Sequence, residues 1–304
     1  MSKYLYVRGA AVSRYGYCRY TGTFLLALSV LVIGSGTSAA QQDSQAAKVY
    51  QQARQAFAQQ DVDLALRLSA EAIELDPSFS PAWQLRGILF ENGRQHKESI
   101  AAYSKAIELV PDDAATIDRR GSEYLLASEF DKAIADFDKA IELAPELERR
   151  HWKRGIAYYY AKKYAEGAAQ FELYQTYDAN DVENSVWRFL CMAKDVGVEQ
   201  ARKELLPIEN DRRVPLMVVY AMFRAEAEPS DVMDAVKAGD PPAEELKRRE
   251  FYAHLYLGLY YDALGQQDSA TKHMNQAVER ELPGYMWSIA KVHAEYLEAS
   301  RKKK

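Results

Sequence analysis

The same 34-residue pattern is written twice in succession between Ser80 and Leu147. The first copy reads SPAWQLRGILFENGRQHKESIAAYSKAIELVPDD and the second AATIDRRGSEYLLASEFDKAIADFDKAIELAPEL. Gly falls at position 8 of each (Gly87, Gly121) and an aromatic at 11 (Phe90, Tyr124). A second aromatic falls at 24 (Tyr103, Phe137), Ala at 27 (Ala106, Ala140) and Pro at 32 (Pro111, Pro145). This spacing fits two helices of roughly 14 residues, about 20 Å each, folded back on one another. The Gly at 8 and the small residue at 20 (Ser99, Ala133) let the two backbones approach closely, and bulky residues at 4, 11 and 24 fill the space around that contact. Pro at 32 ends the second helix, because it lacks an N–H and clashes with the preceding turn.

The period and residue types resemble those of the tetratricopeptide repeat family. The resemblance implies an all-α fold: a right-handed superhelical solenoid of antiparallel helix pairs. A single unit cannot bury its apolar faces, so copies must stack. A weaker unit precedes the two copies at 46–79, with Ala53, Ala65 and Ala72 at positions 8, 20 and 27. A fourth follows at 148–181, with Gly155, Tyr158, Gly167 and Phe171 in register. Tyr174 takes position 27 there and Ala179 replaces the Pro at 32, which should change how the next helix stacks. Four units thus occupy 41–181, and residues 182–245 read as helical but off-period, a divergent insert. The period returns in 246–304 with a fifth unit at 251–284 (Gly258, Tyr261, Gly265, Ala270, Met274, Ala277), a capping helix from Tyr285 to about Ser300, and a basic RKKK tail.

Residues 1–40 read as an export signal. Lys3, Arg8, Arg14 and Arg19 precede a short apolar run, Phe24 to Ile33, about half of what a membrane span requires. Ser38 and Ala40 satisfy the small-residue rule, so cleavage is expected after Ala40, and the chain is then periplasmic or secreted with no stable membrane span. An uncleaved signal anchor is the alternative. Loss of the segment takes the formal charge from −5 to −9, which argues against nucleic acid as a general partner. Cys18 lies in the signal and Cys191 stands alone in an apolar run, so packing rather than disulfides must hold the mature fold.

No catalytic motif stands out: there is no phosphate loop, no nucleophile elbow and no zinc helix. Ser288-x-x-Lys291 has the spacing of a serine–lysine pair but lacks companion motifs. Asp61 and Asp63 recur as in a calcium loop without its Gly or closing Glu. His151 and His254 fall at position 4 of their units, where core-edge packing explains them. No cofactor and no metal is expected.

The concave surface carries more information. The resemblance implies that first-helix positions near 2, 5, 9, 12 and 13 line it. They are Gln84 and Ile88, then Asp118, Ser122 and Leu125, then Arg149, Trp152, Ile156, Tyr159 and Tyr160, with Arg119 and Lys153 alongside. Family members that grip a C-terminal carboxylate use Lys and Asn at positions 5 and 9, and Tyr50/Arg54, Gln84/Ile88 and Asp118/Ser122 do not match that clamp. Three consecutive tyrosines, Tyr158 to Tyr160, cannot share one helix face, so at least one is expected at the surface or an interface.

The order of parts (signal, tandem repeats, irregular helices, then a final repeat containing YLGLYYDALGQQDSAT) is similar to that of NlpI-type periplasmic lipoproteins. That resemblance implies a homodimeric adaptor that brings cell-wall endopeptidases and a processing protease together. The chain departs from it in lacking a Cys just after the apolar run, the site of a lipid anchor. The leading expectation is therefore an exported, non-enzymatic scaffold that binds a protein or peptide segment in its groove. A hydrolase with its site in 182–245 and a self-assembling structural protein are the alternatives.

Overall fold

The computed structural model describes residues 36–302, with side chains from Gln45 onward. The export-signal reading therefore lies, over residues 1–35, outside the described residues. The described residues form helices and no strand. α1 (Gly36–Ala58) pairs with α2 (Val62–Leu75), α3 (Ser80–Asn92) with α4 (His96–Leu109), and α5 (Ala114–Leu126) with α6 (Phe130–Leu143). A 3-10 turn, Pro145–Arg150, leads into α7 (Trp152–Tyr160), which pairs with α8 (Tyr164–Tyr174). α9 (Val182–Asp195) and the short α10 (Val198–Lys203) follow, then α11 (Leu216–Phe223) and α12 (Pro229–Val236). The chain finishes with α13 (Ala243–Ala263), α14 (Gln267–Val278) and α15 (Tyr285–Arg301). None of these helices is long and apolar enough to cross a membrane.

Local chemistry sets the helix boundaries. Asp61 and Asp113 cap α2 and α5 by accepting from Leu64 N and from Ala115 N and Thr116 N. Within a pair, the first helix ends in a two-bond turn around one left-handed residue. Lys162 N donates to the Tyr159 carbonyl at 3.1 Å and Lys163 N to the Tyr158 carbonyl at 2.9 Å. The left-handed residue is Gln60, Arg94, Ser128 or Lys162 in the first four pairs, and Gly265 between α13 and α14. Ala225 repeats this geometry between α11 and α12, so the off-period stretch contains a helix pair built on the same turn.

Between paired helices the position-8 glycine lies under an aromatic ring. A Cβ at Gly121 would stand 2.8 Å from the Phe137 ring, and one at Gly155 2.6 Å from the Phe171 ring. The Ser99 hydroxyl donates to the Gly87 carbonyl at 3.0 Å, which shows how closely the backbones approach.

The largest apolar core runs continuously from α5 to α15. The first two helix pairs are held by small separate clusters, Ala53, Ala56, Ala65, Leu85 and Leu89 in one and Val49, Ala72 and Ala82 in the other. α15 packs on α14, as the next helix of an array would, and also reaches back to α5 and α7. Its Ile289, Ala290 and Leu297 are fully buried. The helix that caps the array therefore also lies inside the curve of the solenoid, against its first helices.

Candidate interaction groove

That return of α15 decides which part of the inner surface is open. Ile156, Tyr159 and Tyr160, expected to line a groove, are 0, 2 and 4% exposed. This corrects the expectation: they face inward as first-helix positions do, but the protein's own helix covers them. The Tyr160 hydroxyl pairs with His293 Nδ1 at 3.1 Å, and its ring lies edge-on to Tyr296 at 5.6 Å. The Tyr159 hydroxyl donates to Asp262 at 3.2 Å, and its ring meets Trp187 at 5.6 Å. Tyr158 is 8% exposed under the Arg154 guanidinium, so none of the three consecutive tyrosines reaches the surface. α6, α8 and α9 pack on α7, and side chains of α13 and α15 cover Tyr159 and Tyr160, which is how three successive residues can all be buried.

Beyond the end of α15 the groove is open. A cleft of ≈ 560 Å³ lies along α5 and the 3-10 turn, bounded by Glu91 on α3 and by Tyr285 at the start of α15. It brings together Asp118, Arg119, Ser122 and Lys153, four of the expected residues, and adds Glu146 and Arg150. A smaller hollow of ≈ 240 Å³ shares Asp118, Arg150 and Lys153 with it and adds His151 and Trp152.

The charged groups here are partly tied to one another. Arg119 pairs with Glu91 at 2.9 Å, and Glu91 also accepts from the Tyr103 hydroxyl at 2.5 Å. His151 Nδ1 accepts from Arg154 N at 3.2 Å, so the ring proton sits on Nε2, which donates to Asp118 at 2.6 Å. Burial alone would raise the Asp118 carboxyl; the His151 hydrogen bond and the charges of Lys153 and Arg119 outweigh it and hold the carboxyl below its ordinary range. Lys153 Nζ donates to the Ser122 hydroxyl at 2.9 Å. Arg150 is exposed and makes no ion pair or hydrogen bond among the described residues, so it is the cation most available to a ligand.

Two expected residues have other roles. The Gln84 amide donates to Asp113 at 2.6 Å and to Thr116 at 3.1 Å, joining α3 to the capped start of α5. Arg149 is exposed but is not among the residues lining the cleft. The reason is local: α7 begins at Trp152, capped by His151, so the residues at the start of the fourth unit form a 3-10 turn instead of helix. That turn presents Arg150, which sequence reasoning missed; a His able to cap at 151 was the available signal.

A repeating helix-pair solenoid with a polar inner cleft and no candidate metal cluster among the described residues belongs to the class of superhelical repeat proteins. The tetratricopeptide repeat model matches residues 80–113 and 116–147. The chain thus carries tetratricopeptide repeats over these residues. Its fold is similar to that of a tetratricopeptide repeat protein from Parabacteroides merdae, at a TM-score of 0.55 and 13% identity over 85% of this chain and 99% of that one. Other solved structures include the MamA protein (TM-score 0.49, 16% identity, 54% of this chain and 88% of that one) and PilF of Pseudomonas aeruginosa (TM-score 0.45, 15% identity, 83% and 99%). A comparison with curated proteins finds no match.

Proposed function

We propose that this protein is a non-enzymatic scaffold, exported to the cell envelope, that holds a segment of another protein in the cleft along α5. The carrying observation is the open cleft itself, with Arg150 unpaired and Lys153 close beside it. Three cations and three carboxylates around ≈ 560 Å³ suit an extended peptide that places a carboxylate near Arg150 and donors near Glu91 or Glu146. The similarity of overall plan to NlpI-type proteins supports an adaptor role in the envelope, and a homodimer is part of that reading.

The test compares two adjacent arginines in the full-length chain, expressed in its native host. Crosslinked partners are recovered with the unaltered chain, with Arg150→Glu, and with Arg149→Glu as the control outside the cleft. Selective loss with Arg150→Glu supports the cleft. Equal recovery with both variants moves the binding surface elsewhere, and no partner with any form removes the scaffold reading. Fractionation of the same cells tests export, which fails if the chain stays in the cytoplasm.

A further inference from the structure

Trp152 divides the inner surface. On one side is the open cleft; on the other, between α7 and α9, is a second pocket of ≈ 220 Å³. Its walls are Trp152, Tyr174 and Trp187, with Met286 of α15 closing one side. Its polar lining is Asp181, Glu183 and Asn184, all at the start of α9, with Arg213 beside them.

The charge balance of this pocket is uneven. Arg213 is shared among Asp181 at 2.7 Å, Glu183 at 2.5 Å and Asp211 at 2.5 Å, three carboxylates on one guanidinium. Asn184 is 3% exposed; its Nδ2 donates to the Phe171 carbonyl at 3.0 Å, while its Oδ1 has no hydrogen-bond partner among the described residues. Buried polar atoms are seldom left unpaired, because each costs about 1–3 kcal/mol. The pocket thus combines surplus negative charge, an unmet acceptor and aromatic faces. Donor-rich cations satisfy all three: they hydrogen-bond to oxygen acceptors and are attracted to the faces of indole and phenol rings.

We propose that this pocket is a subsite for a cationic side chain, arginine or lysine, of the segment held in the adjoining cleft. The assignment rests on the groove-binding reading for the source of that side chain. Trp152 lines both the pocket and the smaller hollow of the cleft, so a chain lying in the cleft needs only to pass this ring. The Trp187 indole N–H, 2% exposed and also without a partner among the described residues, calls for an acceptor, which a peptide carbonyl supplies and an alkylammonium does not.

Burial raises the Glu183 carboxyl to about 7; Arg213 and the Tyr256 hydrogen bond oppose the rise, and the Asp181 and Asp211 charges add to it. Tyr252 and Tyr256 also lie close to it, and burial followed by the Glu183 charge raises both phenols. A cation entering beside Glu183 favours its ionised form, so binding near pH 7 should release a fraction of a proton.

The experiment titrates the full-length protein with N-acetyl-arginine amide and N-acetyl-lysine amide, with N-acetyl-citrulline amide as the neutral isostere of arginine and putrescine as a free cation. Tryptophan fluorescence reports on Trp152 and Trp187, and calorimetry in buffers of different ionisation enthalpy reports proton release. The expected result is saturable binding of both cationic amides, weaker binding of putrescine, none of citrulline, and proton release near pH 7. Glu183→Gln should weaken binding by about tenfold or more, as loss of a charge-assisted hydrogen bond requires. Met286→Trp, which fills the pocket from α15 and leaves every carboxylate in place, should abolish binding and guards against a folding defect in the first variant. Equal binding of citrulline, no saturable binding, or binding indifferent to both variants overturns the subsite. If the cationic amides bind as expected but Arg150→Glu leaves partner capture unchanged, the subsite stands and the groove reading falls.

Discussion

Tyr285 stands edge-on to Trp152, ring centroids 5.3 Å apart and planes at 85°, and its hydroxyl donates to the Ser122 carbonyl at 3.3 Å. This pair pins the first turn of α15 to α5 and α7 and separates the open cleft from the second pocket. Lys153 Nζ lies 5.0 Å from the centre of the Tyr285 ring and adds a cation–π contact. Tyr285→Ala should therefore act on shape and stability together. Truncation of a half-buried aromatic here should cost about 2 kcal/mol, below the range for a fully buried ring. Denaturant unfolding measures the cost, and increased iodide quenching of Trp152 fluorescence measures the opened partition. An unchanged midpoint and unchanged quenching would show that α15 is not held at this end.

The fit between Gly155 and Phe171 makes a sharper demand. Gly155→Ala places a methyl 2.6 Å from the ring in a fully packed site, and overpacking of this kind costs about 1–3 kcal/mol. Shortening the partner should relieve it. The double variant Gly155→Ala/Phe171→Leu should be more stable than the sum of the two single losses, with a coupling of at least about 0.5 kcal/mol. Strict additivity in equilibrium unfolding would mean that the ring is not what excludes the methyl.

This contact was legible in the sequence, because Gly at 8 and an aromatic at 24 recur in step from Gly87 to Gly155. The helix pairs of residues 46–181 follow from the same register. The helices α11 and α12 were legible in the stretches VPLMVVYAMFRAEA and PSDVMDAVKAGD, but their pairing around the left-handed turn at Ala225 was not: the pair lacks the glycine that marks the other units, and turn geometry leaves little trace when Ala, Lys, Gln, Arg and Ser all adopt it. The covered part of the groove was hidden for another reason. Position within a repeat says that Tyr159 and Tyr160 point inward, but whether a distant helix covers them depends on how far the solenoid curls. Asp118 and Lys153 were found because they lie on helices in register, and Arg150 was missed because its turn departs from that register.

The left-handed turns offer a gain in stability. Lys162 is exposed, and its φ of 61° is one that a side chain makes unfavourable by roughly 1–2 kcal/mol. Glycine removes that cost but adds roughly 0.5–1 kcal/mol of unfolded-chain entropy. Lys162→Gly should therefore stabilise by about 0.5–1 kcal/mol and raise the melting temperature by about 1–3 °C. Lys162→Ala keeps the Cβ and should bring no such gain. Equal melting temperatures for the two variants in a calorimetric scan would remove left-handed strain as the cause.

The pH dependence of stability should carry the mark of two buried histidines. His254 Nδ1 meets His273 Nδ1 at 3.0 Å, so one ring donates to the other, and both cannot be charged without breaking the bond. Burial, helped by the nearby charges of Arg280, His273 and Lys272, lowers His254 from 6.5 to about 4. Burial also takes His293 down to about 4; Asp262 opposes the fall and Lys194 adds to it. The unfolded chain takes up protons on these rings below pH 6.5, while the folded chain resists until about pH 4. Their contribution is thus fully present above pH 6.5 and is lost progressively as pH falls to 4. Melting temperature measured across that window should decline with acidification, and His254→Phe/His273→Phe should flatten part of the decline, because no proton can then be taken up at that pair. A profile with the same slope in the double variant would assign the acid sensitivity to the carboxylates instead.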